Sequence, residues 1–280
     1  MLTEVKAYSS WRSAPTLLLD ANGRPETDYI QIRNIDGLDP VKASISTSPR
    51  GYIDGVTYTG SDVPARNIVL TIHPNPDWLT WSFESLRRLL YQYFMPKRPV
   101  RLVFESDDMG PVEISGVVES VTVNQFSKDP EIQVSVICPD PYFTAVDPTV
   151  ITGQTIRDGG VTTIVPYGGT VESGVLVKVT YTSGTDPTRI GIQLGDPSLG
   201  YFNVVAGVNA ALYFEMSSIP LQKFVQNIDM STGVINNLLS DVEDGSSWIV
   251  LQPGDNEFSV VTDQGVQDWE LTFYERYGGL

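Results

Sequence analysis

Apolar and polar residues alternate along much of the first half of this chain, which is the pattern of half-buried β-strands. The alternation is clear in residues 29–33, 66–72 and 131–137, where every second residue is isoleucine, leucine or valine. Residues 100–104 repeat it after a helical segment. Together these runs predict a β-sheet in the first half of the chain.

The longest predicted strand, residues 112–123, changes the parity of its apolar positions partway along. Val112 and Val118 share one parity, whereas Val121 has the other. One extra residue moves all later side chains to the opposite face of a sheet. The pattern therefore predicts a β-bulge near residues 119–120.

A period of three to four residues predicts an α-helix over residues 80–94. Thr80 or Ser82 can cap its first turn, and Pro96 ends it because proline has no backbone N–H. The apolar stripe that would face the sheet consists of Phe83, Leu86, Leu90, Tyr93 and Phe94.

Two short sequences predict breaks in the first half. Asp54 and Gly55, between β-forming residues, predict a type I′ hairpin turn within residues 51–60. His73 stands before Pro74, and we expect it on the surface or in a loop, beyond the strand that ends at Ile72.

Strand patterns continue through the second half, and no helical period lies between them. Turn sequences such as Ser183-Gly184 and Thr232-Gly233 separate the strands, which is typical of an antiparallel β-sandwich. Residues 147–170 are rich in Gly, Thr and Pro and predict a linker with one short strand. The predicted strands are residues 175–181, 189–194, 212–216, 224–230, 248–251, 258–262 and 269–274.

A proline-rich segment near the midpoint separates these two halves. Pro139 and Pro141 lack backbone donors and hold the residues before them extended. We therefore predict a mainly β protein with two domains. Residues 1–145 form a sheet or barrel-like module with one helix, and residues 146–280 form the antiparallel sandwich.

Composition narrows the class of protein. With 280 residues, 41% hydrophobic and 19% charged, the chain can fold around two cores. It shows neither a secretory signal nor the apolar run of about 20 residues that crosses a bilayer. We therefore expect a soluble protein made in the cytosol, without membrane insertion.

Charge argues against adhesion to nucleic acid, because binding phosphate needs clustered lysine and arginine. The net charge is −16. Residues 1–145 carry 13 basic and 18 acidic side chains, a net charge of −5, and residues 146–280 carry 5 and 16, a net charge of −11.

The chain has one cysteine, Cys138, and one histidine, His73. This excludes an intrachain disulfide, a zinc finger and a pair of histidine ligands. Cys138 follows a strand, and we expect it to be a small buried residue. We predict no metal, no cofactor and no catalytic residues. A glycosidase needs two carboxylates, but a chance pair among 34 acidic residues indicates nothing.

Several ordered stretches resemble the distal tail proteins of long-tailed bacteriophages. In the first half these are residues 54–60, 66–72, 86–97, 113–121 and 134–143, which ends in Cys-Pro-Asp-Pro-Tyr-Phe. In the second half, residues 224–234, Trp248 and residues 251–256 are similar to the family's galectin-like domain. The resemblance covers most of the chain.

The resemblance implies a structural virion protein of the phage tail tip, assembled in the host cytoplasm. In that family six copies form a ring through the N-terminal module, and the galectin-like domains point outward. The ring joins the tail tube to the tip or baseplate. The implied partners are further copies of the chain, the tail tube protein, the tape measure protein and the tip or baseplate hub protein. DNA would pass without specific binding.

Aromatic residues are the candidates for binding surfaces. Tyr93, Phe94, Tyr142 and Phe143 are candidates for the interface between copies, although each of them can equally belong to the core of one copy. The alternative function is a carbohydrate-binding or receptor-binding module, in which Tyr201 and Trp248 would stack on a sugar. Trp269 alternates with Leu271 and Phe273, which favours a core position.

Overall fold

The computed structural model describes residues 2–10, 16–20, 29–75, 81–124, 130–155, 162–195, 201–205 and 208–280, with the backbone alone for 16–20. The chain divides into two compact units. The first unit comprises Met1–Val146 together with Tyr277–Leu280, and the second comprises Asp147–Arg276. Residues 277–280, predicted to lie in the second domain, group with the first unit.

The first unit is a curled antiparallel sheet with one helix among its described residues. Its elements are β1 Leu2–Ser9, β2 Thr16–Asp20, β3 Ile30–Asp36, β4 Ser44–Pro49, β5 Val56–Asp62, β6 Arg66–Pro74, α1 Phe83–Tyr93, β7 Pro99–Ser106, β8 Met109–Val123, β9 Ile132–Cys138 and β10 Phe143–Ala145. The strand order is β2-β1-β7-β8-β9-β6-β3, and β10 pairs with β8.

The apolar alternation builds the core of the first unit. In β6 and β9 every second side chain is buried, and β6 pairs with β9 from Arg66↔Cys138 to Ile72↔Ile132. Helix α1 begins after Ser82, whose Oγ accepts a hydrogen bond from the Ser85 backbone N–H at 3.2 Å. The predicted helix is confirmed over residues 83–93, and its alternative cap, Thr80, lies outside the described residues.

The predicted bulge in β8 is confirmed. The pairing of β8 with β9 shifts between Val118 and Ser120, so Val121 again packs against the core. Two other predictions are wrong. His73 lies within β6, opposite Gln31, because the strand continues to Pro74. No two-residue turn forms at Asp54-Gly55, because the hairpin strands are β4 and β5, which pair as far as Pro49↔Val56.

The second unit is a sandwich of antiparallel sheets around one core. Its strands are β11 Thr149–Thr155, β12 Thr163–Tyr167, β13 Ser173–Ser183, β14 Ile190–Leu194, β15 Tyr201–Val204, β16 Leu212–Ser217, β17 Phe224–Asp229, β18 Ile235–Asn237, β19 Val250–Leu251, β20 Gly254–Thr262 and β21 Val266–Phe273. The last strand, β22 Arg276–Tyr277, belongs to the sheet of the first unit, where it pairs with β10. One sheet has the order β11-β21-β13-β16-β17-β18, with β19 beside β13, and the other has the order β12-β20-β14-β15.

The mainly β fold is confirmed, and both sheets contribute to the core cluster of the second unit. The predicted linker at residues 147–170 is wrong in its strand content. Instead of one short strand it holds β11 and β12, which pair with β21 and β20. Trp248 precedes β19 and does not lie in it. The strand predicted over residues 258–262 begins earlier, because β20 starts at Gly254.

Candidate functional site

A buried arginine organises one end of the first unit. Arg66 is 2% exposed, and its guanidinium lies 4.6 Å from the centroid of the Phe143 ring. It donates four hydrogen bonds to backbone carbonyls, at 2.5–2.8 Å, and the four acceptors are Pro141, Gly37, Asp39 and Gly278. One side chain therefore joins β6 to three segments that are distant along the chain.

The charge of Arg66 is held mainly by backbone dipoles. Burial lowers the pKa of Arg66 from its usual value, while the carboxylate of Asp39 acts in the opposite direction. Arginine suits such a site because its planar group keeps its charge and points five N–H donors in fixed directions.

Residues 278–280 pack against the loop that follows β3. The Leu280 N–H donates to the Leu38 carbonyl at 3.0 Å. A side chain at Gly279 would lie 2.7 Å from Pro40 Cδ, so only glycine fits there. Beside this contact is an apolar cavity of about 280 Å³, whose lining includes Leu2, Leu38, Phe104, Met109, Val112 and Leu280.

Gly37, which supplies one of the carbonyls, also needs to be glycine. Its φ is +94°, and a Cβ would lie 2.2 Å from the Asn67 carbonyl oxygen. The loop therefore turns back sharply against β6 and presents its carbonyls to Arg66.

Three of the four interface candidates lie in the core of the first unit. Tyr93, Phe94 and Phe143 are at most 5% exposed. Phe94 also ends α1 by donating its backbone N–H to the Leu90 carbonyl, and Phe143 packs edge-on against Phe104. Tyr142 is half-buried, in a turn where its N–H bonds the Asp140 carboxylate.

Cys138 is a buried packing residue that lies opposite Arg66 in the pairing of β9 with β6. It has no exposed surface, and its Sγ lies 3.9 Å from the Val136 carbonyl. Burial raises the pKa of the Cys138 thiol to about 11, although Arg66 opposes the shift. The thiolate that reacts with electrophiles is therefore scarce at neutral pH.

The two sugar-stacking candidates lie on adjoining backbone segments of the second unit. Tyr201 is 37% exposed, its backbone pairs with Ser247, and its hydroxyl accepts a hydrogen bond from the Asn203 side-chain amide. Trp248 is half-buried: its ring packs 5.1 Å from Phe202, and the Lys223 ammonium lies 5.2 Å from its centroid. Tyr201 is thus the more exposed of the two, whereas the Trp248 ring packs against Phe202 and lies near Lys223.

Trp269 lies in the core of the second unit, 2% exposed, with its ring 5.1 Å from Phe258. Gly153 on the neighbouring strand makes room for it, because a Cβ there would approach Trp269 Cζ2 to 2.4 Å. The outward face of the same strands holds a shallow polar groove of about 380 Å³, lined by residues that include Gln154, Lys178 and Asp268.

Within the described ranges, no cluster of three or more His, Cys, Asp or Glu residues is arranged to hold a metal ion. Among the same residues no helix is long and apolar enough to cross a membrane.

Sequence reasoning missed Arg66. The residue opens a strand, where a charged side chain normally reaches solvent, and its acceptors are backbone atoms, which leave no trace in the side-chain pattern. The one usable signal was the glycines at residues 37, 278 and 279, which permit close approach of backbone.

No protein-family model matches this chain, and no curated protein matches it. Solved structures do. The Dit protein of phage SPP1 (gp 19.1), described as a paradigm of the hub adsorption apparatus in phages that infect Gram-positive bacteria, aligns with a TM-score of 0.66. The two chains are 17% identical, and the alignment covers 97% of this chain and 98% of that one.

Chains of the phage P2 baseplate in its activated conformation also align over almost their whole length. The calcium form gives a TM-score of 0.46 with 11% identity and 98% coverage of each chain. The strontium form gives 0.43 with 10% identity, covering 96% of this chain and 97% of that one. The likeness to the SPP1 Dit protein confirms the resemblance to distal tail proteins at the level of the fold.

Proposed function

We propose that this chain is a structural, non-enzymatic component of a phage tail tip. Six copies would close into a ring through the first unit and link the tail tube to the tip or baseplate. The observation that supports this most is the fold shared with the SPP1 hub protein over 97% of the chain. The first unit would be the ring-forming domain, and the second would be a galectin-like domain that points outward.

The remaining partners follow from this placement. A ring at the end of the tail tube would contact the tube protein, the tape measure protein and the hub of the tip. An acidic chain of net charge −16 would let DNA pass through without holding its phosphates. The protein would reside in the virion, after assembly in the host cytoplasm.

The direct test is the assembly state of the purified chain. Native mass spectrometry and electron microscopy over a range of concentrations should give a closed ring of six copies. If the chain remains monomeric at the highest concentration, and also when a tube or hub protein is added, the proposal is contradicted. In a gel-shift assay at physiological salt we expect no binding of double-stranded DNA.

The alternative, carbohydrate or receptor binding by the second unit, is supported by the exposed ring of Tyr201. We expect any saturable sugar binding in calorimetric titration to be lost in Tyr201→Ala and kept in Tyr213→Ala, an aromatic residue of β16 whose ring contacts Lys178. Binding that survives Tyr201→Ala would exclude this ring as the stacking platform.

A further inference from the structure

The β4–β5 hairpin, Ser44–Asp62, is a two-stranded sheet outside the main sheet of the first unit, and we call it the arm. Nearly every residue of its strands is exposed. A lone two-stranded hairpin is at best marginally stable in water. The arm therefore needs a surface to pack on, and the described residues of its own chain leave it exposed to solvent.

The arm has two different faces. Residues that oppose each other across an antiparallel pair point to the same side. The pairs Ile45↔Ser61, Thr47↔Tyr58 and Pro49↔Val56 lie on one side, because a bulge after Ser46 realigns the strands. The bond of 2.7 Å between the hydroxyls of Tyr58 and Ser61 agrees with this assignment.

The first side, which we call the apolar face, carries Ile45, Val56 and Tyr58, which are 64%, 55% and 62% exposed. The opposite side, the hydroxyl face, carries Ser46, Ser48 and Thr57. Alternation of this kind marks a sheet with one face against protein and one against water. Here the face that should be covered is open.

We propose that the apolar face of the arm packs against a second copy of this chain. The inference rests on the proposed ring and names the element that joins its copies. Charge favours this occupant. Two chains of net charge −16 repel each other, so they associate best through surfaces without charge, and charged residues are depleted at interface centres.

The arm meets that requirement. Its charged residues are Arg50 and Asp54 in the connecting loop and Asp62 at the strand end, opposite Ser44 on the hydroxyl face. Tyr52 and Ile53 add exposed apolar surface at the tip.

The test compares two double variants of the full chain. In Ile45→Lys/Tyr58→Lys the charges lie on the apolar face. In the matched control, Ser46→Lys/Thr57→Lys, the same strands carry the same added charge on the hydroxyl face. Native mass spectrometry across a dilution series measures association, and hydrogen exchange measures protection of the β4 and β5 amides.

We expect wild type and control to assemble, and their arm amides to gain protection as concentration rises. The apolar-face variant should dissociate at concentrations at least 100-fold higher, while circular dichroism shows it folded. If copies assemble and the arm amides stay unprotected, or if both variants assemble like wild type, the arm is not the interface, and the ring proposal stands. If wild type stays monomeric with an open arm, both proposals fail.

Discussion

Each unit of this protein has a buried polar side chain that bonds segments distant along the chain, and the two side chains differ in charge. In the first unit Arg66 donates to four backbone carbonyls. In the second, the neutral side chain of Gln267 is fully buried, and its Oε1 accepts hydrogen bonds from the hydroxyls of Thr155 and Thr262 at 2.9 and 2.6 Å.

The difference shows two ways to fasten a segment to a sheet. Gln267 works within a regular ladder, because Thr155 is its pairing partner on β11. Arg66 instead donates to carbonyls that lie outside regular strands, in the loop after β3, in the turn before β10 and at Gly278. Hydrogen bonds made by a charged group are stronger than those made by a neutral one. Removing the charged group therefore lowers the free energy of unfolding by more. The first unit should therefore depend more on its buried group than the second.

The largest effect is expected from Arg66→Met, which leaves the carbonyls of Gly37, Asp39, Pro141 and Gly278 without their donor. We expect the free energy of unfolding to fall by about 3 kcal/mol in urea titrations followed by circular dichroism. The Leu280 amide should also exchange faster, since residues 278–280 lose their anchor. The matched control is Arg33→Met, at an exposed position of β3, which should lower the free energy of unfolding by less than about 0.5 kcal/mol. Equal losses in the two variants would show that Arg66 is not the anchor.

A smaller effect is expected from Gln267→Leu, because the hydroxyls of Thr155 and Thr262 lose a neutral acceptor. The expected cost is about 2 kcal/mol, measured by the same titration. Gln154→Leu, at an exposed position of β11, should change stability by less than about 0.5 kcal/mol. A cost for Gln267→Leu above that for Arg66→Met would reverse the comparison between the units.

The smallest effect concerns Cys138, beside Arg66. Cys138→Ser should cost about 1 kcal/mol or somewhat more and leave assembly unchanged in native mass spectrometry. In the native protein the thiol should resist a disulfide reagent that labels it rapidly in urea. Loss of the ring in this variant would give Cys138 a role beyond packing.

Cys138 also predicts a dependence of stability on pH. Its folded pKa, about 11, lies above the ordinary value of 9.0. The unfolded thiol therefore ionises first, so stability is full below about pH 9 and falls as pH rises towards the folded pKa. Cys138→Ala removes this contribution. The gap between wild type and Cys138→Ala should narrow between pH 9 and 11, and a constant gap would contradict the assignment.

The pattern of apolar and polar residues predicted those elements that are specified by residues close together in the sequence. Helix α1 follows from its apolar period and its Ser82 cap, and the bulge of β8 follows from a change of parity at one point. Only one short strand was predicted where β11 and β12 lie, because Gly, Thr and Pro are typical of loops, and the pairing of these strands with β21 and β20 joins residues at least 87 positions apart. Propensity is a weak prior, and partners in space override it.

The choice of candidate interface residues from the sequence is limited in the same way. Aromatic character marked Tyr93, Phe94 and Phe143, but it does not distinguish a core residue from an interface residue, and all three are buried. Of the arm, only a hairpin within residues 51–60 was predicted, and neither β4 nor the open apolar face was. Exposure depends on what the rest of the chain covers.

By itself, the sequence determined a mainly β chain with one helix, an acidic surface and an inert cysteine, because periodicity, charge and residue chemistry are properties of short segments. Only the tertiary structure decided that residues 277–280 return to the first unit, that Arg66 holds them, and that the arm stands apart. These features depend on backbone carbonyls and on solvent access, and both are fixed only when distant segments meet.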